Sequence, residues 1–305
     1  MSHTGAGRAI VPPPLTPGDT IAVVAPSSPF EPVLAWVGLG FLATRYRVRF
    51  DRGMFERKGY LAGSDSRRRA ELEGALKDPD VKAIIAARGG YGAHRFAHAI
   101  DWTALARSPR WLVGFSDITA LHVEAARVGV ASIHGAHVTS LGRGDARARE
   151  ALLGALERPL EPRVFSGLRA LVGGSAEGPL FGGNLTILHA SAAAGRLSIP
   201  EGCVLLLEDV TERPYRIDRV LATLACGGHL ARAAAVLLGD FTQCDPGPDG
   251  VTVEHVLGDH LTRLGVPVAA GAPIGHGLRN EPVVLGARTR VEARGGSARV
   301  ALGGL

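Results

Sequence analysis

Several short stretches in the first half of the chain are apolar almost without interruption. The clearest cover residues 20–25, 81–87 and 111–115, and the stretches 46–50 and 133–135 are candidates for further strands. Continuous apolar runs of this length are typical of strands buried on both faces of a parallel sheet. The polar-faced segment 66–76, with Ser64 or Asp65 at its start, predicts a helix between two of them. We therefore predict a parallel α/β sheet in the first half.

The second half of the chain has a different pattern. Short apolar stretches recur at 203–207, 234–239, 266–270, 283–285, 288–292 and 298–302, and a glycine pair between the last two indicates a hairpin turn. Between the halves, the charged segment 145–157 predicts a helix, and the prolines and glycines after it indicate a linker. We accordingly predict an α/β domain over residues 1–150, a linker over 151–178 and a mixed, β-rich α+β domain over 179–305.

Composition narrows the class of protein. The chain has 305 residues, of which 46% are hydrophobic and 21% charged, as in an ordinary globular protein. Its three cysteines, Cys203, Cys226 and Cys244, form no C-x-x-C pair, which disfavours a disulfide framework and fits a reducing compartment. The N-terminus shows no secretory signal pattern, and no apolar stretch is long enough for a membrane helix. We therefore expect a cytoplasmic protein without membrane contact.

The charge pattern gives no sign of a nucleic-acid partner or a metal. The net charge is +5, but the one tight basic run, 67–69, is followed by acidic residues and indicates the solvated face of a helix. The pair His134 and His137 has a spacing that would place the two rings on opposite faces of a strand. No third ligand cluster lies nearby in the sequence. We predict neither a metal site nor a bound cofactor.

Ser116 is the strongest candidate for chemistry. It follows the apolar stretch 111–115 and precedes a helical pattern, so it is expected at a strand-to-helix corner. A serine at such a corner points its hydroxyl out of the sheet edge, near the unpaired first amides of the helix. This geometry suits a nucleophile whose attack creates an oxyanion. A serine that only caps a helix gives the same pattern, so the corner alone leaves both interpretations open.

Three further segments carry candidate side chains. The glycine-rich segment 88–92 follows a strand, as Ser116 does, and can present amides to an anion or form a plain turn. Glu208 and Asp209 end an apolar strand, where an acid can orient an imidazole or cap a helix. His276 stands between two glycines in a loop, which suits either a catalytic base or a flexible surface loop.

Taken together, the motifs of the chain resemble the LD-carboxypeptidase family of serine peptidases, which includes the microcin-immunity peptidases. The resemblance extends over nearly the whole chain and rests on motifs in family order. They are GDTIAVVAPSS at 18–28, RGGYG at 88–92, GFSDIT at 114–119, HG at 134–135, FGGNLTIL at 181–188, LED at 207–209, PYRIDR at 214–219 and GHG at 275–277. The stretches 30–50 and 143–178 match no pattern of the family.

The resemblance implies a fold and a set of site residues. The fold is a flavodoxin-like α/β domain followed by a smaller β-rich domain. The implied triad is Ser116, Glu208 and His276, contributed by both domains, and the implied oxyanion hole uses the amides of Asp117 and Gly90.

The resemblance also implies a substrate and an assembly. Family members hydrolyse the bond between an L-centre and a terminal D-amino acid in cytoplasmic murein peptides, without a metal, and are commonly dimers. We expect Arg88 and Tyr91 to contact the substrate, Arg88 because a guanidinium matches a terminal carboxylate.

Three alternatives stay open on the sequence alone. Within the same chemistry, relatives cleave peptide-nucleotide antibiotics, so this chain is alternatively a detoxifying peptidase. From another class, a non-catalytic α/β protein would use the glycine-rich segment to bind a small ligand. A redox flavoprotein would have the same strand order, but no residue cluster supports it.

Overall fold

The computed structural model describes residues 9–303. Contacts divide the chain into two compact units, each described by itself. The first unit consists of Ile10–Pro159 together with Glu281–Val284, and the second consists of Leu160–Asn280 together with the segment that begins at Leu285. Within the described residues, no helix is both long and apolar enough to span a lipid bilayer.

Strands and helices alternate up to residue 159. The strands are β1 Thr20–Val24, β2 Arg47–Phe50, β3 Val81–Ala86, β4 Trp111–Gly114 and β5 Ser132–His134, and the helices are α1 Pro32–Ala43, α2 Asp65–Lys77, α3 Thr103–Arg107, α4 Thr119–Arg127, α5 Val138–Leu141 and α6 Ala146–Glu157. Helix α2 begins where the sequence indicated, because the Ser64 hydroxyl accepts a hydrogen bond from Arg67 N at 3.2 Å.

The chain from residue 160 onward is richer in strands. It contributes β6 Arg163–Val172, β7 Gly174–Asn184, β8 Cys203–Val210, β9 Ala233–Thr242, β10 Val268–Ala270, β11 Val283–Leu285, β12 Arg288–Arg294 and β13 Ser297–Leu302, with the helices α7 Leu185–Ala193, α8 Pro214–Cys226 and α9 Val253–Leu261. The predicted hairpin is confirmed, since Arg294 pairs with Ser297 around the glycine pair.

The sheet of the first unit has the order β11-β5-β4-β3-β1-β2. Its strands β1 to β5 are parallel and follow the order β2-β1-β3-β4-β5 of a flavodoxin-like sheet. Every residue of β1 and β4 is buried, as expected for central strands covered by helices on both faces. The predicted parallel α/β sheet is confirmed, and a strand from near the end of the chain, β11, completes it.

The second unit is built on a closed barrel with the order β10-β6-β13-β12-β7-β8-β9. Its strands β7, β8, β9 and β10 are parallel neighbours, whereas β6, β13, β12 and β7 pair antiparallel. In β12 and β13 buried and exposed residues alternate, as the inner and outer faces of a barrel require. The predicted β-rich α+β class of this half is confirmed.

Residues 151–178, expected to form a linker, instead contain the end of α6, all of β6 and the start of β7. Three glycines of this segment, Gly167, Gly174 and Gly178, lie inside strands, whereas Gly154 lies in α6 and Gly173 between β6 and β7. Gly167 has a φ of 71° where β6 shifts register against β13, so it forms a β-bulge. A Cβ at Gly178 would collide with the backbone of Gly202, so glycine here permits close approach of two backbones. Gly167 and Gly178, which by composition predict a loop, therefore lie in strands of the barrel.

Candidate active site

Ser116 lies at the carboxyl end of β4, where a single 3-10 turn, Ser116–Ile118, leads into α4. The strand-to-helix corner expected from the sequence is thus confirmed. The serine has a φ of 62°, in the left-handed range, which costs a residue other than glycine about 1–2 kcal/mol. Such strain persists only where the surrounding structure holds it, and it concentrates at functional sites.

The glycine-rich loop passes directly beside this serine. A Cβ at Gly89 would lie 2.9 Å from the Cβ of Ser116, so only glycine fits there. Gly90 has a φ of 101°, which residues with a Cβ rarely adopt. The loop after β1 holds this segment, because the Ser28 hydroxyl accepts from Tyr91 N at 3.0 Å and Ser28 N donates to Gly89 O at 3.2 Å.

The strand order explains why these loops meet. The strands β1, β3 and β4 are adjacent and parallel, so their carboxyl ends lie at one edge of the sheet. The chain reverses its direction of strand addition between β1 and β3, and open α/β sheets bind ligands at such a switch point. Ser116 and the glycine-rich loop are therefore within the binding edge of the first unit.

Asp117, the residue after the serine, has a buried side chain that is only 1% exposed. Its Oδ2 accepts two hydrogen bonds, from the Ser27 hydroxyl at 2.6 Å and from Ala93 N at 2.8 Å. Burial raises the pKa of the Asp117 carboxyl, and these two hydrogen bonds oppose that rise. The main-chain amide of Asp117 is one of the two that the family resemblance implies for the oxyanion hole.

His137 is a contact of this corner that sequence reasoning missed, since it was considered only as a metal ligand. Its buried ring stacks on Phe115 with the centroids 4.2 Å apart, and its Nε2 lies 2.9 Å from Phe115 O. A Cβ at Gly89 would lie 3.1 Å from its Cε1. The available signal was its position just after β5, the strand that neighbours β4 in the sheet.

In the second unit the structure brings Glu208 and His276 together. Nδ1 of His276 lies 2.7 Å from Oε2 of Glu208, whose side chain is fully buried, while the histidine side chain is 18% exposed. Gly275 has a φ of 124°, and a Cβ there would lie 2.8 Å from the Glu208 Oε2. The glycine before the histidine therefore lets the loop approach the acid closely enough for this hydrogen bond.

The strands β8, β9 and β10 are parallel neighbours, and the groups around Glu208 and His276 lie at the carboxyl ends of these strands. Glu208 lies near the end of β8, Asp240 lies near the end of β9, and the loop after β10 carries His276. Oδ2 of Asp240 accepts a hydrogen bond from Gly277 N at 3.1 Å and so holds the loop on its other side. Asp240 was not predicted from the sequence.

The electrostatic surroundings favour the protonated imidazole. Burial by itself lowers the pKa of His276, but the hydrogen bond to Glu208 and the charges of Glu208, Asp209 and Asp240 outweigh it and raise the pKa above its usual value. A histidine with this partner keeps its Nδ1–H on the carboxylate, so its Nε2 is the nitrogen that can accept a proton.

The neighbouring acid, Asp209, has a different role from Glu208. Its Oδ2 accepts from Thr186 N at 3.0 Å and from the Thr186 hydroxyl at 2.8 Å, and its Oδ1 accepts from Asn184 Nδ2 at 3.0 Å. These contacts fasten the start of α7 to β8. Burial raises the pKa of Asp209 to about 6, against the effect of these hydrogen bonds. The residue pattern by itself left both acids open, and the family resemblance implied Glu208.

The two residues expected to contact substrate, Arg88 and Tyr91, both lie exposed on the glycine-rich loop. An Nη of Arg88 donates to Pro29 O at 2.6 Å, which anchors the guanidinium near the loop after β1. The Tyr91 ring lies 5.7 Å from the exposed ring of Tyr60, centroid to centroid. Across the described part of the chain, no group of three or more His, Cys, Asp or Glu side chains is arranged to hold a metal ion.

The expected site residues thus fall into two sets, each within its own unit. Ser116, Asp117 and the glycine-rich loop belong to the first unit, and Glu208 and His276 belong to the second. The first set combines a strained serine with the main-chain amides of the adjoining turn and loop. The second combines an imidazole with a buried carboxylate, as in a histidine that acts as a general base.

Comparison with known proteins identifies the family. Residues 21–135 match the LD-carboxypeptidase N-terminal domain, and residues 177–291 match the LD-carboxypeptidase C-terminal domain. The chain belongs to the LD-carboxypeptidase family. This membership agrees with the resemblance inferred from the ordered motifs.

Individual members of the LD-carboxypeptidase family cover most of this chain. A putative carboxypeptidase of Synechocystis sp. is 39% identical and aligns over 93% of this chain and 95% of its own. A probable murein peptide carboxypeptidase of Bacillus subtilis is 36% identical over 90% of this chain and 89% of its own.

Solved structures of the family agree with the fold. The crystal structure of a muramoyltetrapeptide carboxypeptidase from Oxalobacter formigenes superposes with a TM-score of 0.83 at 29% identity, over 93% of this chain and 98% of that one. MccF in complex with glutamyl sulfamoyl guanosine superposes with a TM-score of 0.86 over 96% of this chain and 98% of that one, and at 18% identity it supports the fold alone.

Proposed function

We propose that this protein is a serine carboxypeptidase that hydrolyses the L,D-amide bond before the C-terminal D-amino acid of a murein peptide. The observation that carries the proposal is the 2.7 Å hydrogen bond between His276 and the fully buried Glu208 in a member of the LD-carboxypeptidase family. The strained corner at Ser116 adds a nucleophile of the required type.

In the first half of the proposed reaction, the Ser116 hydroxyl attacks the carbonyl carbon of the scissile amide. Nε2 of His276 takes the hydroxyl proton, and Glu208 stabilises the imidazolium that forms. The amides of Asp117 and Gly90 donate to the oxyanion of the tetrahedral intermediate. Collapse of the intermediate breaks the C–N bond, and His276 returns the proton to the departing amine of the D-amino acid.

In the second half, water attacks the ester between Ser116 and the shortened peptide. His276 takes a proton from the water, and the same two amides hold the second oxyanion. Breakdown of this intermediate returns the proton to the Ser116 oxygen and releases the peptide with a new carboxylate. The cycle consumes one water and needs no other reactant.

A murein peptide is the favoured substrate for two reasons. The relatives that share more than a quarter of their residues with this chain include proteins named for murein peptides, whereas the MccF structures share about a fifth or less. In addition, the exposed guanidinium of Arg88, beside the glycine-rich loop, suits the free carboxylate of a terminal amino acid. We assign Tyr91 to the same substrate contact.

We further propose that the protein acts in the cytoplasm, on peptides recovered from the cell wall, and that it works as a homodimer. The expectation of a dimer can be tested directly by size-exclusion chromatography with light scattering. A monomer at working concentration would overturn the dimer without affecting the proposed chemistry.

The decisive experiment measures free D-alanine by mass spectrometry after incubation with a murein tetrapeptide that ends in D-alanine. A matched tetrapeptide that ends in L-alanine provides the control, and it should stay intact. Ser116→Ala should abolish release while keeping the melting temperature and the affinity for the peptide. Release by this variant at the rate of the unaltered protein would refute the mechanism.

Release of no D-alanine by the unaltered protein would overturn the murein substrate. In that case a peptide-nucleotide conjugate is the next substrate to supply. Cleavage of the conjugate that depends on Ser116 would assign the same chemistry to detoxification of an antibiotic.

A further inference from the structure

Three loops of the first unit are joined by one buried carboxylate. The side chain of Asp117 belongs to the turn that carries Ser116, Ser27 belongs to the loop after β1, and Ala93 directly follows the glycine-rich loop. Both Ser27 and Ala93 donate to the same oxygen, Oδ2, at 2.6 and 2.8 Å. Asp117 is thus the point at which the ends of β1, β3 and β4 are fastened to one another.

We propose that the Asp117 side chain is a positioning residue, which fixes the main-chain amides of Asp117 and Gly90 at the spacing needed to bind one oxyanion. The proposal rests on the proposed function, because it assigns these amides to an oxyanion hole. It goes beyond that function in giving the side chain of Asp117 a task separate from that of its amide.

The glycine-rich loop is held by hydrogen bonds to the loop after β1 and to the serine turn. The Ser28 hydroxyl fixes Tyr91 N at 3.0 Å in the middle of the loop, and Asp117 fixes its end through Ala93 N. Gly90, with its φ of 101°, precedes both points, and Gly92, with a φ of 135°, lies between them. Glycines with this backbone freedom keep one conformation only where the loop is held along its length, and Asp117 holds the end of the loop that follows them.

The serine turn is held through the side chain of Asp117 as well. Ser116 has a left-handed φ of 62°, and its turn has no side-chain cap of its own at the residue before it. The residue that follows, Asp117, is anchored by two hydrogen bonds in a setting where its side chain is 1% exposed. Buried hydrogen bonds to a charged group are among the stronger ones, so they can hold a strained neighbour.

The two hydrogen bonds from Ser27 and Ala93 require an acceptor oxygen at the place of Oδ2. Both donors reach Oδ2, and among residues 9–303 no hydrogen-bond donor reaches Oδ1. An asparagine can therefore keep both hydrogen bonds through its single oxygen, with its amide nitrogen at the place of Oδ1. An alanine loses both. A comparison of Asp117→Asn with Asp117→Ala therefore separates the effect of the two hydrogen bonds from the effect of the charge.

Steady-state kinetics on the D-alanine tetrapeptide provide the main test. Because an oxyanion donor acts in the transition state, its displacement lowers kcat and leaves KM nearly unchanged. We expect Asp117→Ala to lower kcat by about 10²-fold or more, the loss typical of one misplaced oxyanion donor. Asp117→Asn should stay within about fivefold, since it keeps both hydrogen bonds. Ser27→Ala, which removes one donor, should fall between the two.

The matched control is Glu124→Gln. Glu124 is also a buried carboxylate, 3% exposed, and lies on α4, the helix that begins just after the nucleophile turn. It makes none of the contacts of Asp117, so its kcat should stay within about twofold, as for an independent site. Melting temperatures of all variants separate loss of fold from loss of positioning. If Asp117→Ala fails to fold, kcat is compared between Asp117→Asn and Ser27→Ala. A lower kcat in Ser27→Ala supports the positioning role of Asp117, and equal values overturn it.

The outcomes that overturn the inference are specific. A kcat for Asp117→Ala close to that of the unaltered protein would remove the positioning role, and so would equal losses in the asparagine and alanine variants. A loss confined to KM would assign Asp117 to substrate binding instead. A Ser27→Ala variant with unchanged kcat would break the proposed tie to the loop after β1.

A second readout separates this inference from the proposed function. The labelling rate of Ser116 by a fluorophosphonate reports the nucleophile and its oxyanion donors without the natural substrate. No labelling of the unaltered protein at Ser116 would overturn the proposed function and this inference with it. Labelling of the unaltered protein that proceeds equally fast in Asp117→Ala would overturn only the inference.

Discussion

Replacement of Glu208 by glutamine tests the core of the proposed mechanism. The change keeps the size of the side chain and one oxygen that can accept from Nδ1 of His276. It removes the negative charge of a fully buried carboxylate that lies 2.7 Å from that nitrogen. Any change in rate therefore reports the charge and the orientation of the imidazole rather than a cavity.

The expected loss follows from two effects. A charge-assisted hydrogen bond contributes about 1.5–3 kcal/mol and a neutral one about 1 kcal/mol, so the imidazolium of the transition state loses about 1–2 kcal/mol, or about 5- to 30-fold in rate. In addition, the glutamine amide can donate to Nδ1 and favour the tautomer whose Nε2 already carries a proton. An imidazole held in this wrong tautomer can lower kcat by up to about 10⁴-fold. We expect kcat to fall by about 10²- to 10⁴-fold.

The pH profile adds a signature that unfolding would not give. The base must be neutral to take the proton, so kcat/KM rises with pH through the pKa of His276, which lies above its usual value in the unaltered protein. Glu208→Gln removes the strongest group that raises this pKa and leaves burial, which lowers it. The acidic limb should therefore move to lower pH, while kcat at the plateau is far below that of the unaltered protein.

Asp209→Asn is the matched control, because Asp209 is the next residue of β8 and is also buried. It should change kcat by less than about threefold and instead lower stability by about 1–3 kcal/mol, since it fastens α7 through Thr186 and Asn184. D-alanine release measures kcat, and thermal melting measures stability. A Glu208→Gln variant with kcat within about threefold of the unaltered protein would refute the reasoning about charge and tautomer.

Three further predictions follow from the same contacts. Asp240→Asn removes a negative charge that raises the pKa of His276, so the acidic limb of kcat/KM should move to lower pH, and an unmoved limb contradicts this. Gly89→Ala places a Cβ 2.9 Å from that of Ser116 and should cost about 1–3 kcal/mol in thermal stability, with at least about a tenfold loss of kcat. Arg88→Ala should raise KM by about 10- to 100-fold at similar kcat, as for loss of a charge-assisted contact, and an unchanged KM discards the assignment.

Much of the first unit could be predicted from the sequence because its signals are local. Uninterrupted apolar runs indicate buried parallel strands, and the serine at a strand end indicates a corner in any sheet of this kind. The order of the motifs was sufficient to indicate the LD-carboxypeptidase family. Each strand, corner and single motif is specified by residues within a few positions of one another.

The tertiary structure decided which neighbours those residues have. Consecutive residues of β8 face opposite sides of the strand, so Glu208 contacts His276 and Asp209 contacts the start of α7, although both acids end the same apolar run and both are buried. Gly167 and Gly178 lie in barrel strands rather than in a linker, because a β-bulge at the first and a close approach of two backbones at the second favour glycine. Asp117 meets Ser27, ninety residues earlier, only through the strand order. Local pattern specifies which elements form, whereas partners distant in the chain are fixed by packing, because close contact depends on how the whole sheet and barrel assemble.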